Sequence, residues 1–134
     1  MLTSFNPNGE NIMSAFTPPH AAVWFEIPVT DLAKAKAFYG AVLQNELENQ
    51  DMGPNKTAVF TAANGVSGHL YPGKPSAPGT GITLHLAVPE PLEESMARFA
   101  AHGGQVVSPI VEIPAGRFTY CLDPDGNSIG LFTR

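Results

Sequence analysis

The chain has 134 residues, the size of one domain, and 43% of them are hydrophobic while 14% are charged. A net charge of −5, with seven scattered Lys and Arg residues, argues against a basic nucleic-acid surface, and no stretch approaches the ~18 apolar residues of a membrane span. The one cysteine, Cys121, rules out an internal disulfide and a multi-cysteine zinc site.

Met1 to Pro7 has neither the basic start nor the apolar run of a secretory signal. The expectation is a cytoplasmic protein. Residues 1–19 read as a flexible lead-in: Asn6 to Asn11 are turn formers and Pro18-Pro19 favours an extended segment. Met1 and Met13 are both possible starts.

A strand is predicted over Val23 to Val29, where Phe25, Ile27 and Val29 alternate with Trp24, Glu26 and Pro28. A helix follows over Leu32 to Leu43, with Leu32, Ala35, Phe38, Tyr39 and Val42 as its apolar stripe and Asp31 as N-cap. Short strands come next at Glu46 to Asp51, Thr57 to Ala62 and Ser67 to Tyr71, punctuated by Gly53-Pro54 and Asn64-Gly65. Pro72 to Gly81 is a linker rich in Pro and Gly.

The pattern then restarts. Ile82 to Val88 is a strand with Leu84, Leu86 and Val88 on one face. Leu92 to His102 is a helix with Pro91 in its first turn and Gly103 past its end. Gln105 to Val107, Phe118 to Leu122 and Ser128 to Thr133 are the remaining strands, the last two joined at Asp125-Gly126. Matching Phe25, Ile27 and Val29 with Leu84, Leu86 and Val88 gives an internal repeat. The fold class expected is α+β. Two βαβββ modules (21–71 and 81–134), within a domain spanning 20–134, close as a half-barrel around one shared cavity.

Two segments carry a family resemblance. Trp24 to Tyr39 (WFEIPVTDLAKAKAFY) resembles the opening of the vicinal oxygen chelate superfamily of glyoxalases, bleomycin resistance proteins and extradiol dioxygenases. Leu122 to Leu131 (LDPDGNSIGL) resembles its closing hairpin, with Asp123 to Asn127 the most specific part. The branch it looks like is the one related to lactoylglutathione lyase.

That resemblance implies four metal-ligand positions, two per module, filled by His, Glu or Gln. Here they fall on Trp24, His69, Thr83 and Gly130, so three of the four lack a ligand. Thus no metal and no cofactor is expected at the usual place. A displaced alternative is Glu26, His69 and His85, a set suited to a divalent ion such as zinc, nickel or iron.

Glu26 and His85 hold corresponding places in the two modules and are the candidate catalytic residues. A carboxylate inside an apolar strand needs a partner, and pseudo-symmetry nominates His85. The pair is either a buried structural hydrogen bond or an acid–base site. Trp24 either fills the metal's space or stacks on a planar ligand. Trp24, His69, Tyr71, Thr83, Tyr120 and Phe132 are the candidate substrate-binding residues. Arg117 reads as solvent-facing, and Cys121 as packed against a helix rather than reactive.

Three function classes follow. The first is a metal-independent, lyase-related enzyme acting on a small molecule. The second is a non-catalytic protein that binds a drug or metabolite. The third is a metal-dependent lyase or dioxygenase using the displaced site. The partners expected are a small-molecule ligand and a second copy in a homodimer, with no nucleic acid and no membrane.

Overall fold

A computed structural model describes residues 3–5, 11–13, 15–52 and 55–134. Thr3–Phe5 (β1) and Asn11–Met13 (β2) pair antiparallel in a two-stranded ribbon, with Thr3 opposite Met13. The sequence reading placed no element there. Its turn residues Asn6 to Glu10, like the Gly53-Pro54 turn, lie outside the described residues.

From Trp24 onward one order of elements occurs twice. The first module is Trp24–Val29 (β3), Leu32–Leu43 (α1), Glu48–Met52 (β4), Asn55–Val59 (β5) and Ser67–Pro72 (β6). The second is Leu84–Ala87 (β7), Leu92–Ala101 (α2), Gln105–Val106 (β8), Val111–Ile113 (β9), Gly116–Leu122 (β10) and Ser128–Thr133 (β11). The strand orders are β3-β6-β5-β4 and β7-β11-β10-β8. In each sheet the first strand runs parallel to the last and forms an edge. β9 is an addition missed in the sequence, because its three residues sit between Pro109 and Pro114. It pairs with the start of β10, Phe118 opposite Val111.

The helices begin where local chemistry directs. Asp31 caps α1, its Oδ1 accepting from the backbone N–H of Lys34 at 3.0 Å. Gln44 ends it in a left-handed turn (φ 51°). Pro91 is the N-cap of α2 rather than a first-turn residue, and His102 is its C-cap.

Period-two alternation sets the faces. Ile27, Val29, Leu86, Ile129 and Leu131 are buried in the core with Phe38, Tyr39 and Phe99, while Phe25 and Leu84 pack at its margin. The Phe38 and Phe99 rings meet edge to face at 5.1 Å, joining the two helices. Cys121 is fully buried in this core, as its strand position required.

The modules are also tied by the 123–127 turn. Asp123 is 4% exposed, and its carboxylate accepts four hydrogen bonds. Oδ1 takes the N–H groups of Asp125 (2.9 Å) and Asn127 (2.8 Å). Oδ2 takes the Asn127 amide (2.9 Å) and the Tyr39 hydroxyl of α1 (2.6 Å). The Asn127 amide also donates to the Pro28 carbonyl of β3 at 2.9 Å, and the Thr30 hydroxyl donates to Asp125 at 2.6 Å. The turn is thus a hairpin and also a clamp on the first module.

Candidate functional site

Both sheets leave one face uncovered by helices. On the first, β3 and β6 run parallel with Glu26 in register with His69. On the second, β7 and β11 repeat the arrangement with His85 in register with Gly130. The same structural position therefore carries a carboxylate beside an imidazole in one module, and an imidazole beside a bare backbone in the other.

In the first module a hydrogen-bond chain runs from ring to ring to carboxylate. The Trp24 indole N–H donates to His69 Nδ1 at 3.0 Å. His69 Nε2 lies 3.2 Å from Glu26 Oε1. His69 is 5% exposed, whereas the Glu26 side chain is 63% exposed. Tyr71 sets its ring edge to face against His69 at 6.0 Å. An indole nitrogen can only donate, so His69 Nδ1 must accept and Nε2 carries the proton given to Glu26.

In the second module His85 lies among aromatic rings. Its centroid is 4.8 Å from that of Phe118, 5.8 Å from Phe132 and 5.9 Å from Tyr120. The Phe118 and Phe132 rings are nearly parallel, 5.8 Å apart. Burial of its inner side holds His85 below the usual histidine value. The imidazole also covers Gly130, where an added Cβ would collide with the ring atoms Nδ1 and Cε1. Gly130 is therefore required for this ring position. Thr83 joins the end of the group through a 2.6 Å hydroxyl–hydroxyl bond with Ser128.

Two expectations are corrected. Glu26 is not a buried carboxylate paired with His85, because its face of the sheet is open and its neighbour is His69 on the adjoining strand. Nor does one cavity hold both residues. Trp24 and Glu26 line a cleft of about 550 Å³ between the edges of the two sheets, closed on one side by Ser76 and Thr80 of the linker. His85 and Phe132 line a separate concavity of about 460 Å³ beside Glu90 and Arg134. Equivalent positions in two sheets are related by the pseudo-twofold, and that relation does not make them neighbours.

The donor set does not fit the family's metal. Trp24 offers no lone pair, the Thr83 hydroxyl is engaged by Ser128, and the space over Gly130 holds the His85 ring. His69 has its Nδ1 lone pair committed to Trp24 and its Nε2 directed at Glu26. The displaced set of Glu26, His69 and His85 is not assembled either. Among the described residues no three His, Cys, Asp or Glu side chains are grouped to hold an ion.

Phe118 was overlooked as a site residue, although period two from Tyr120 places it on the same face. The linker wall of Ser76 and Thr80 had no sequence signal. It is set by docking on the 123–127 turn, where Gly79 donates to the Gly126 carbonyl at 3.1 Å. Arg117 pairs with Glu93 at 2.9 Å and Glu112 at 3.6 Å on the surface, as its solvent-facing reading anticipated. Burial pushes the Cys121 thiol up to about 12, which leaves it a packing residue.

A family model described as Glyoxalase/Bleomycin resistance protein/Dioxygenase superfamily matches residues 19–131. No curated protein matches the chain. Among solved structures, TnmS3, an antibiotic binding protein from Streptomyces sp. CB03234, is 28% identical. The match covers 87% of this chain and 98% of that one, with a TM-score of 0.64. A glyoxalase/bleomycin resistance protein from Albidiferax ferrireducens T118 is 23% identical over 86% of this chain and 99% of that one, TM-score 0.65. The fosfomycin resistance protein FosX from Listeria monocytogenes is 19% identical over 88% and 93%, TM-score 0.65.

Proposed function

The chain belongs to the glyoxalase/bleomycin resistance protein/dioxygenase superfamily, and from that premise we propose that it binds a small, partly apolar organic molecule in the cleft beside Trp24 and Glu26, without a metal at the family's usual position. The observation that carries this reading is the Trp24–His69–Glu26 chain. It spends the lone pair a metal would need and leaves a carboxylate and an aromatic ring facing an open cleft. Apolar walls with a few oriented polar groups are what small-ligand sites offer. The 28% identity to an antibiotic binding protein agrees with binding.

Turnover without a metal is the second reading. Glu26 favours it, since an exposed carboxylate oriented through one oxygen can take a proton. Binding is preferred because, among the described residues, Glu26 is the one acidic or basic side chain lining this cleft, and acid–base chemistry commonly divides its work between two groups. Incubation with a ligand that shifts Trp24 fluorescence separates the readings. Recovery of the ligand unchanged, with and without chelator, is the expected result. Chemical conversion that is lost in Glu26→Gln supports the enzyme, and conversion abolished by chelator overturns the metal-free premise.

No helix among the described residues is long and apolar enough to cross a membrane. A twofold dimer is part of the reading. Tyr120 is 39% exposed on the open face of the second sheet, and a second copy laid across it would cover apolar surface. Light scattering at micromolar concentration is expected to give twice the 14.2 kDa chain mass. A clean monomer removes the dimer from the proposal.

A further inference from the structure

We propose that the cleft beside Trp24 takes an organic cation, an ammonium or amidinium group carried on an apolar body. The inference rests on the binding reading above and deepens it to a ligand class.

Trp24 fixes the hydrogen-bonding role of His69. The indole N–H can be satisfied at His69 Nδ1, 3.0 Å away, only while that nitrogen keeps its lone pair. His69 therefore carries one proton, on Nε2, and is neutral. Its 3.2 Å contact with Glu26 is a hydrogen bond from a neutral donor rather than an ion pair. It holds Oε1 in place without cancelling the carboxylate's charge. Oε2 accepts no hydrogen bond from the described residues.

Among the described residues no Lys, Arg or His lines the cleft, so none there cancels that charge. The Trp24 ring stands beside the carboxylate and is 44% exposed, so a cation reaching Oε2 also meets an aromatic ring. Beyond them Ile82, Leu84 and Ile129 supply apolar wall for the ligand's body. An anion entering the same space would meet the Glu26 charge with no counter-charge to offset it.

Trp24 is the chain's single tryptophan, so its fluorescence reports on the cleft itself. The test titrates the full chain at pH 7 with three probes of one shape: phenethylammonium, 2-phenylethanol and phenylacetate. The expected result is that the cation binds about ten-fold or more tightly than the alcohol, as a charge-assisted hydrogen bond would give, with the anion weakest. In Glu26→Gln, which still accepts from His69, the cation's advantage over the alcohol disappears. In Trp24→Phe, followed by calorimetry, the advantage shrinks because the smaller ring offers a cation a weaker aromatic face and the indole hydrogen bond that orients His69 toward Glu26 is gone. Equal affinities, a preference for the anion, or a cation advantage that survives in Glu26→Gln overturns the inference. If the alcohol binds with no preference for the cation, the cleft reading stands and the charge argument falls. If none of the three binds, both fall.

Discussion

Replacing Tyr39 with Phe removes one oxygen from the joint between the modules. The hydroxyl donates to Asp123 Oδ2 at 2.6 Å, and Tyr39 is 1% exposed. A buried hydrogen bond to a charged acceptor contributes about 1.5–3 kcal/mol. Asp123 keeps its other three donors in the variant, so no acceptor is orphaned, and a loss of about 2 kcal/mol is expected. For a chain of this length that is a fall of roughly 8 °C in Tm. The pH dependence adds a second signature. Burial first, and then the neighbouring Asp123, raise the Tyr39 pKa well above its ordinary 10.0. Its contribution is whole below pH 10, where an unfolded tyrosine is still protonated. Above pH 10 the unfolded chain releases its proton while the folded chain keeps it, so the native state loses stability. The Phe variant has no such group, and the gap between the two proteins narrows as pH rises. Urea unfolding at pH 7 and again above pH 10 measures both effects. A difference under about 0.5 kcal/mol at pH 7, or a gap that widens in alkali, would refute the role given to this hydrogen bond.

Other consequences follow from the second module and the core. Gly130→Ala is expected to cost about 1 kcal/mol, because the new Cβ must displace the exposed His85 ring; His85→Ala in the same chain recovers part of that loss in a double-mutant cycle, and strict additivity would count against the contact. His85 has its pKa held below 6.5 by burial, so its contribution is complete above pH 6.5 and is lost as pH falls below it and the unfolded chain takes up the proton first. Wild type should therefore lose stability relative to His85→Ala on acidification through that range, and parallel pH curves would contradict this. Cys121, buried with its pKa raised to about 12, should resist a thiol reagent in the native protein at pH 8 and react on unfolding. Rapid native labelling would place it outside the core.

Strands that bury one face were legible because alternation is a local property. Ile27 and Val29 in β3 and Leu86 in β7 all went to the side their spacing assigned. The repeat and the Asp123–Asn127 turn were legible for the same reason, since each is written in adjacent residues. β9 was not, because three residues between prolines become a strand only when β10 lies beside them. The site was legible in its residue list and not in its pairings. Glu26 and His85 are equivalent by sequence, yet Glu26 meets His69 because the module's first strand runs beside its last. Gly130 reads in the sequence as a missing ligand. In the fold it is the residue whose lack of a side chain admits the His85 ring. Exposure of Glu26 follows from a sheet face that the chain's own helices leave open, a property no single strand encodes.

The ring nitrogens of His69 report the central arrangement without intermediaries. A long-range ¹⁵N–¹H spectrum of the histidines at pH 7, recorded before and after one equivalent of zinc, distinguishes the imine nitrogen from the protonated one. Nδ1 of His69 should appear as the imine nitrogen and Nε2 as the protonated one, with both signals unmoved by zinc. A protonated Nδ1, or a His69 signal that shifts on adding the metal, would contradict the Trp24–His69–Glu26 chain and the metal-free cleft built on it.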